Sequence, residues 1–190
     1  MQFKRTKIED VIIVEPAIHG DERGYFIETF RQDKLEEYLG FKVNFSQDNE
    51  SKSSRGVLRG LHYQLAPAAQ TKLVRVIKGR VLDVAVDIRK GSPTFGQYVA
   101  VELSEENKRQ LFVPRGFAHG FVVLEDDTVF AYKVDNYYSP ENDRGMAFND
   151  PAIGIEWGIE LAALNLSGKD TKQPLLADAD LFNYGENLYV

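Results

Sequence analysis

No cysteine occurs among the 190 residues, which excludes a disulfide scaffold, thiolate chemistry and any cysteine-based zinc site. Histidine is nearly as scarce: there are three, His19, His62 and His119. No apolar run approaches the length that crosses a bilayer. The first twenty residues alternate charged and apolar positions where a secretory leader would be continuously apolar, so a cytoplasmic location is expected. No glycine-rich phosphate loop opens a helix, which removes P-loop and Rossmann readings. Positive charge is in the minority, 23 Lys and Arg against 29 Asp and Glu. The net charge of −6 argues against binding long nucleic acids, while leaving room for a local basic pocket that takes one small anion.

What is present is an ordinary globular composition, 43% apolar and 27% charged, in a chain long enough for one well-buried core. The opening DVIIVEPAIHGDERGYFIETF predicts two strands, roughly 11–18 and 24–30, joined by a polar turn at His19-Gly20-Asp21-Glu22. His19 is accordingly read as exposed and structural. Leu35, Tyr38 and Leu39 fall at helical spacing before the stop signal Gly40. Alternation then returns, with Val43, Phe45 and Gln47 on one face. From Val57 to Tyr138 strand follows strand, separated by turn chemistry at Gly91-Ser92-Pro93, Ser104–Asn107 and Glu125–Asp127. KLVRVIK and RVLDVAVDI, parted by little more than Gly79, suggest a tight hairpin. Many short strands with little helix between them indicate an all-β fold, an antiparallel sandwich or jelly-roll barrel. A short helix is expected near 157–164, and the whole of 1–190 reads as a single domain.

Two stretches carry the chemistry. Metal-binding cupins present G-x5-H-x-H-x3-4-E-x6-G, and the run from Gly56 to Gly79 fits that frame, with His62 in place. The second histidine has become Gln64, however, and the glutamate has become Lys72. A cation in a ligand position repels a metal ion. The second stretch, Pro114-Arg115-Gly116-Phe117-Ala118-His119, matches P-x-G-x-x-H, though Lys108 stands at the opening glycine and Val123 at the closing asparagine. Two histidines with no carboxylate in the frame make a poor ligand set, so no metal is expected. Strand alternation places Lys72 with Val74 and Val76, Asp83 with Val81 and Ala85, His119 with Phe121 and Val123, and Tyr132 with Phe130 and Val134. Asp83, on the next strand, is a natural candidate to partner the Lys72 ammonium. Alternation leaves open whether that pair is only structural and Tyr132 only core filling. Arg59 and His62, three apart, should face opposite sides unless Gly60 marks a bulge.

QDNES at 47–51, RGVLRGLHYQ at 55–64, TKLVRVIKGRVLDVAVDIRKGSPTFG at 71–96, PRGFAHGF at 114–121, YYSPENDRG at 137–145 and NDPAIGIEW at 149–157 resemble the dTDP-4-dehydrorhamnose 3,5-epimerases. The resemblance runs from about Ile12 to Asp170. It implies a cupin dimer that uses no metal or other cofactor and acts on a thymidine-diphosphate 4-keto-6-deoxyglucose to give the L-configured 4-keto-rhamnose. By that resemblance His62 is the base, Asp170 orients it, Tyr132 is the acid and Lys72 stabilises the enolate. The chemistry suits them. An imidazole of pKa about 6.5 accepts a proton near neutrality, a phenol of pKa about 10 still holds its own, and an ammonium neutralises an oxyanion. The same resemblance gives substrate contacts to Arg23, Phe26, Glu28, Gln47, Asn49, Arg59, Lys72, Asp83, His119, Tyr138, Asp143 and Lys169. Arg23, Phe26 and Glu28 are expected on an N-terminal strand that reaches into the partner subunit. Two departures stand out, Asp143 where the family usually has Glu and Glu50 where His is common. The alternatives are a relative that inverts only one centre, a non-catalytic nucleotide-sugar-binding cupin, and a metal-dependent cupin, the last disfavoured by Lys72 and Gln64.

Overall fold

The computed structural model of the protein describes residues 1–189. Its elements run β1 (Gln2–Arg5), β2 (Ile12–Glu15), β3 (Ile18–Asp21), β4 (Gly24–Ile27), α1 (Gln32–Leu39), β5 (Gln47–Ser53), β6 (Leu58–Gln64), β7 (Lys72–Lys78) and β8 (Arg80–Asp87). They continue through β9 (Arg89–Lys90), β10 (Tyr98–Ser104), β11 (Gln110–Val113), β12 (Phe117–Val123), β13 (Thr128–Val134), β14 (Asp143–Gly145) and β15 (Phe182–Asn183). A six-stranded sheet, ordered β1-β2-β11-β7-β13-β5, packs against a five-stranded one, β10-β8-β12-β6-β14, and every pairing within both is antiparallel. Of the two all-β readings that the strand spacing allows, this is the jelly roll, as the cupin-like frames and the resemblance imply.

The path between strands corrects one expectation. β7 and β8 form no hairpin, because they belong to opposite sheets and the chain turns the corner between them at Gly79. Gly79 has φ +80°, and a Cβ there would lie 2.3 Å from Thr128 Oγ1, so only glycine fits. The same crossing recurs from β5 to β6, β10 to β11 and β12 to β13. The N-terminal strands also shift. Residues 12–15 and 18–21 are separate strands, and His19 is exposed but lies in β3, paired with Phe26, rather than in a turn. The reversal is the two-residue Glu22-Arg23, so Arg23 sits in the turn and Glu28 just beyond β4. Helix α1 ends at Gly40, in the left-handed region at φ +78°, as expected. Only one turn of 3-10 helix, Leu161–Ala163, occupies the expected 157–164 segment.

The alternating apolar residues build the interior between the sheets: Val74 and Val76 of β7, Val81 and Ala85 of β8, Phe121 and Val123 of β12, and Phe130 of β13. A second cluster covers the outer face of the five-stranded sheet with Met146, Trp157, Leu176 and Phe182 from the C-terminal third. Helix α1 covers part of the other sheet through Leu35, against Ile12, Leu73 and Phe112. Each fully buried aliphatic or aromatic side chain contributes about 1.5–3 kcal/mol, enough in sum to offset the few charged groups sharing the interior. Those groups form the site.

Candidate functional site

His62 on β6 and Tyr132 on β13 come from opposite sheets and line one cavity of about 470 Å³, together with Lys72, His119, Arg59 and Asp170. A second cavity of about 410 Å³ shares His62, Lys72 and Tyr132 and continues to Gln47, Asn49, Tyr138, Asp143 and Lys169. The two hollows therefore meet at the three residues to which the family resemblance gives the base, the enolate donor and the acid.

Arg59 and His62 do face the same cavity, through a bulge. His119 pairs with His62 but Phe121 pairs with Arg59, so β6 carries one residue more than β12 across that interval. Gly60 has φ +137°, and a Cβ on it would sit 2.5 Å from Gly120 Cα. Two glycines let the backbones cross here, and the extra residue swings the Arg59 guanidinium round to the side of the imidazole. Strict alternation could not foresee this.

His62 Nε2 lies 2.5 Å from Asp170 Oδ1. The Asp170 side chain is 3% exposed, against 33% for the imidazole. Burial alone would raise the Asp170 carboxyl, but hydrogen bonds from His62 and Ser167 and the nearby charges of His62 and Lys169 outweigh it and hold the group below its usual value. An ionised carboxylate only accepts, so Nε2 carries the proton and donates it. In the neutral ring the lone pair is then on Nδ1, free to take a proton. Ser167 is a residue the sequence reading passed over. Its Oγ donates to Asp170 Oδ2 at 2.8 Å and accepts from the Asp170 N–H at 3.1 Å. Ser-x-x-Asp, half of a capping box, was the available signal.

Lys72 leaves the six-stranded sheet and reaches across the interior, its Nζ donating to the His62 carbonyl at 3.2 Å. Burial lowers its pKa from 10.5 to about 8, against the upward pull of Asp83 and Asp143, with Lys169 adding to the decrease. The expected Lys72–Asp83 pair does not form. Asp83 is bonded instead to His119, at 2.9 Å and 3.0 Å from Nε2, and acts on Lys72 only through space. The reason is register: Asp83 lies opposite Phe121 on the neighbouring strand β12, within reach of His119 two residues back, whereas Lys72 is on the other sheet. Burial pushes the Asp83 carboxyl up and the His119 imidazole down, each against the pull of its partner. His119 lines the cavity, while Asp83 is fully buried behind it. Burial also raises the Tyr132 phenol, with Arg59 opposing, so Tyr132 keeps its proton.

The polar mouth divides in two. Asp143 accepts from Lys169 Nζ and, at 3.3 Å, from the Tyr138 hydroxyl, so the shorter acid still engages both neighbours. Gln47 donates to Asn49 at 2.9 Å. The Arg59 guanidinium meets only the hydroxyl of Ser53, at 3.1 Å and 3.2 Å, and among the described residues no carboxylate lies within 4 Å of it. Glu50 stands at the rim. Arg23, Phe26 and Glu28 are not brought to either cavity. They belong to the exposed β3–β4 ribbon and its exit, with Arg23 held by Asp21, Glu28 by Arg31, and Phe26 65% exposed. His62 and His119 have thus each gained a carboxylate from outside the cupin frame, yet among the described residues no three acidic or imidazole side chains converge as a cation-binding set.

The sequence model of a family described as dTDP-4-dehydrorhamnose 3,5-epimerase matches residues 5–178. The dTDP-4-dehydrorhamnose 3,5-epimerase of Shigella flexneri is 56% identical over 182 residues, covering 96% of this chain and 99% of the relative. That of Salmonella typhimurium is 57% identical over 175 residues, covering 92% and 95%. Among solved structures, the dTDP-6-deoxy-D-glucose-3,5-epimerase of Legionella pneumophila, in complex with dTDP-4-keto-L-rhamnose, superimposes with a TM-score of 0.93. It is 49% identical, over 97% of this chain and 99% of that one.

Proposed function

Because this chain belongs to the dTDP-4-dehydrorhamnose 3,5-epimerase family, we propose a division of labour in which His62, Lys72 and Tyr132 carry the epimerisation between the two sheets. The enzyme is an isomerase that converts dTDP-4-dehydro-6-deoxy-D-glucose to dTDP-4-dehydro-L-rhamnose by inverting C3 and C5. Both carbons flank the C4 ketone, so loss of either proton gives an enolate with its charge on the same oxygen. One donor at that oxygen therefore serves both centres.

In this reading His62 Nδ1 takes the proton from carbon, and the imidazolium so formed is stabilised by Asp170, itself oriented by Ser167. The C–H electron pair moves into the ring as the C4 oxygen becomes negative beside the Lys72 ammonium. A fixed donor of that kind lowers such a barrier by roughly 3 kcal/mol. Tyr132 then gives its phenolic proton to the opposite face of the same carbon, and solvent restores both groups. The observation that carries the reading is the placement of imidazole and phenol on opposite sheets around one cavity that also holds a buried ammonium. Inversion needs proton loss and gain on opposite faces, and mere binding needs neither.

Arg59, with no carboxylate within 4 Å among the described residues, is assigned to the diphosphate; Gln47, Asn49, Tyr138, Asp143 and Lys169 to the nucleotide end; and His119, backed by Asp83, to the sugar. The chain acts as one cupin domain and as a homodimer. The exposed β3–β4 ribbon supports the dimer, since Arg23, Phe26 and Glu28 can complete a site only on a second copy. The test is turnover of the 4-keto sugar nucleotide in deuterated water, read by NMR. Deuterium at both C3 and C5 is expected. Incorporation at one centre reassigns the enzyme to single inversion, and incorporation at neither removes the catalytic reading.

A further inference from the structure

Gln64 occupies the position at which metal cupins place their second histidine, and the reaction above leaves it without a task. It shares a face of β6 with His62 and is 3% exposed. Its carboxamide makes three hydrogen bonds. Nε2 donates to the carbonyls of Ala68 at 2.7 Å and Tyr137 at 3.1 Å, and Oε1 accepts the N–H of Ser139 at 2.8 Å. Two of the three fall on either side of residue 138. Tyr138 itself is 60% exposed and has little packing to hold it; its own ties are a 3.3 Å bond from its N–H to Gln47 Oε1 and a 3.3 Å bond from its hydroxyl to Asp143. Gln70, bonded to the Asn136 carbonyl at 2.7 Å, and Asn136, bonded to the Pro67 carbonyl at 3.0 Å, link the same segment to the loop after β6.

We infer that Gln64 is a positioning residue: its carboxamide pins the backbone from Tyr137 to Ser139 so that Tyr138 walls the second cavity beside Gln47, Asp143 and Lys169, and thereby sets how tightly the nucleotide end is held. This rests on the assignment of Tyr138 as a ligand contact. A carboxamide supplies two N–H donors and an acceptor on one planar group, which this junction uses in full. A carboxylate of the same shape sets an oxygen against two carbonyl oxygens, and a thioether offers almost nothing. A position that faces the metal in metal-binding cupins here fastens the loop that carries Tyr138.

The test is calorimetric binding of thymidine diphosphate to the full-length protein and to Gln64→Met, Gln64→Glu, Tyr138→Ala and the double variant Gln64→Met/Tyr138→Ala, each checked for folding by thermal melting. Gln64→Met is expected to weaken binding about tenfold, the scale of one or two lost hydrogen bonds. The double variant should bind no more weakly than Tyr138→Ala alone, because Gln64 acts through Tyr138. For Gln64→Glu, the Kd relative to the unsubstituted protein should fall as the pH is lowered from about 8.5 to about 5.5, since the protonated carboxyl regains a donor, while the same ratio for Gln64→Met stays flat. The pH series carries the test alone if Gln64→Met fails to fold. Additive penalties in the double variant, or a flat ratio for Gln64→Glu, overturn the inference and leave Tyr138 in place. An unimpaired Tyr138→Ala removes the Tyr138 assignment and the inference with it.

Discussion

Lys72 is the residue on which charge and burial conflict most directly. Its ammonium sits in an interior built mainly of Val, Phe and Leu, shared with Asp83 and His119, and its pKa falls to about 8. The folded state binds the proton less tightly than the unfolded chain, whose lysine keeps about 10.5, so the cost of burying the charge is fully present below about pH 8. That cost is relieved as pH rises from about 8 to about 10.5, and over this window the group favours folding more. Activity moves the other way, because a neutral amine stabilises an enolate less well. We therefore expect the basic limb of kcat/KM to fall through about pH 8. Lys72→Met should lose nearly all turnover, yet melt at a higher temperature than the unsubstituted protein at pH 7, a gain that shrinks toward pH 10.5. A pH-rate profile and calorimetric melting check both. At this scale frame spacing singled out His62 and Lys72, whereas alternation left Tyr132 open as core filling and its role came from the family resemblance; the three line one cavity. Alternation does not name the partner, which is why Asp83 turned out to hold His119 rather than Lys72.

Among the elements, β6 decides the site. Its bulge at Gly60 places Arg59 and His62 on one cavity, and the glycine is required twice over, by φ +137° and by the 2.5 Å approach to Gly120 Cα. Gly60→Ala should destabilise the fold by about 2–4 kcal/mol through backbone strain and overpacking, measurable by urea denaturation, and should impair turnover further by turning Arg59 away. The corner at Gly79 shows what local reading misses. A two-strand hairpin and a sheet-to-sheet crossing both look like two strands parted by one glycine, and the difference lies in pairings with β11, β12 and β13, far along the chain. The early strands were misjudged for a related reason. His19-Gly20-Asp21 has the composition of a turn but is drawn into β3 by pairing with β4, leaving only Glu22-Arg23 to reverse the chain.

On the scale of the whole molecule, the sequence expresses a barrel with His62 and Tyr132 on facing walls and an N-terminal ribbon that, among the described residues, pairs with no other strand, its Tyr25 meeting Lys108. Ile18, Tyr25 and Phe26 on that ribbon are each at least half exposed, a grouping that suits burial against a second copy. Phe26→Asp is expected to shift the protein toward monomer in sedimentation velocity and to lower kcat/KM at least about tenfold, the loss of binding energy that one buried aromatic contact carries. An unchanged dimer with unchanged kinetics would show that the ribbon serves neither assembly nor catalysis. The central claim is that proton removal and proton return belong to residues on facing sheets. It is tested most directly by incubating Tyr132→Phe with the 4-keto sugar nucleotide in deuterated water and reading the recovered sugar by NMR. The account predicts deuterium washed into the substrate with its original configuration kept, because His62 still removes and returns a proton on its own face. Inverted product forming at the unsubstituted enzyme's rate would contradict it.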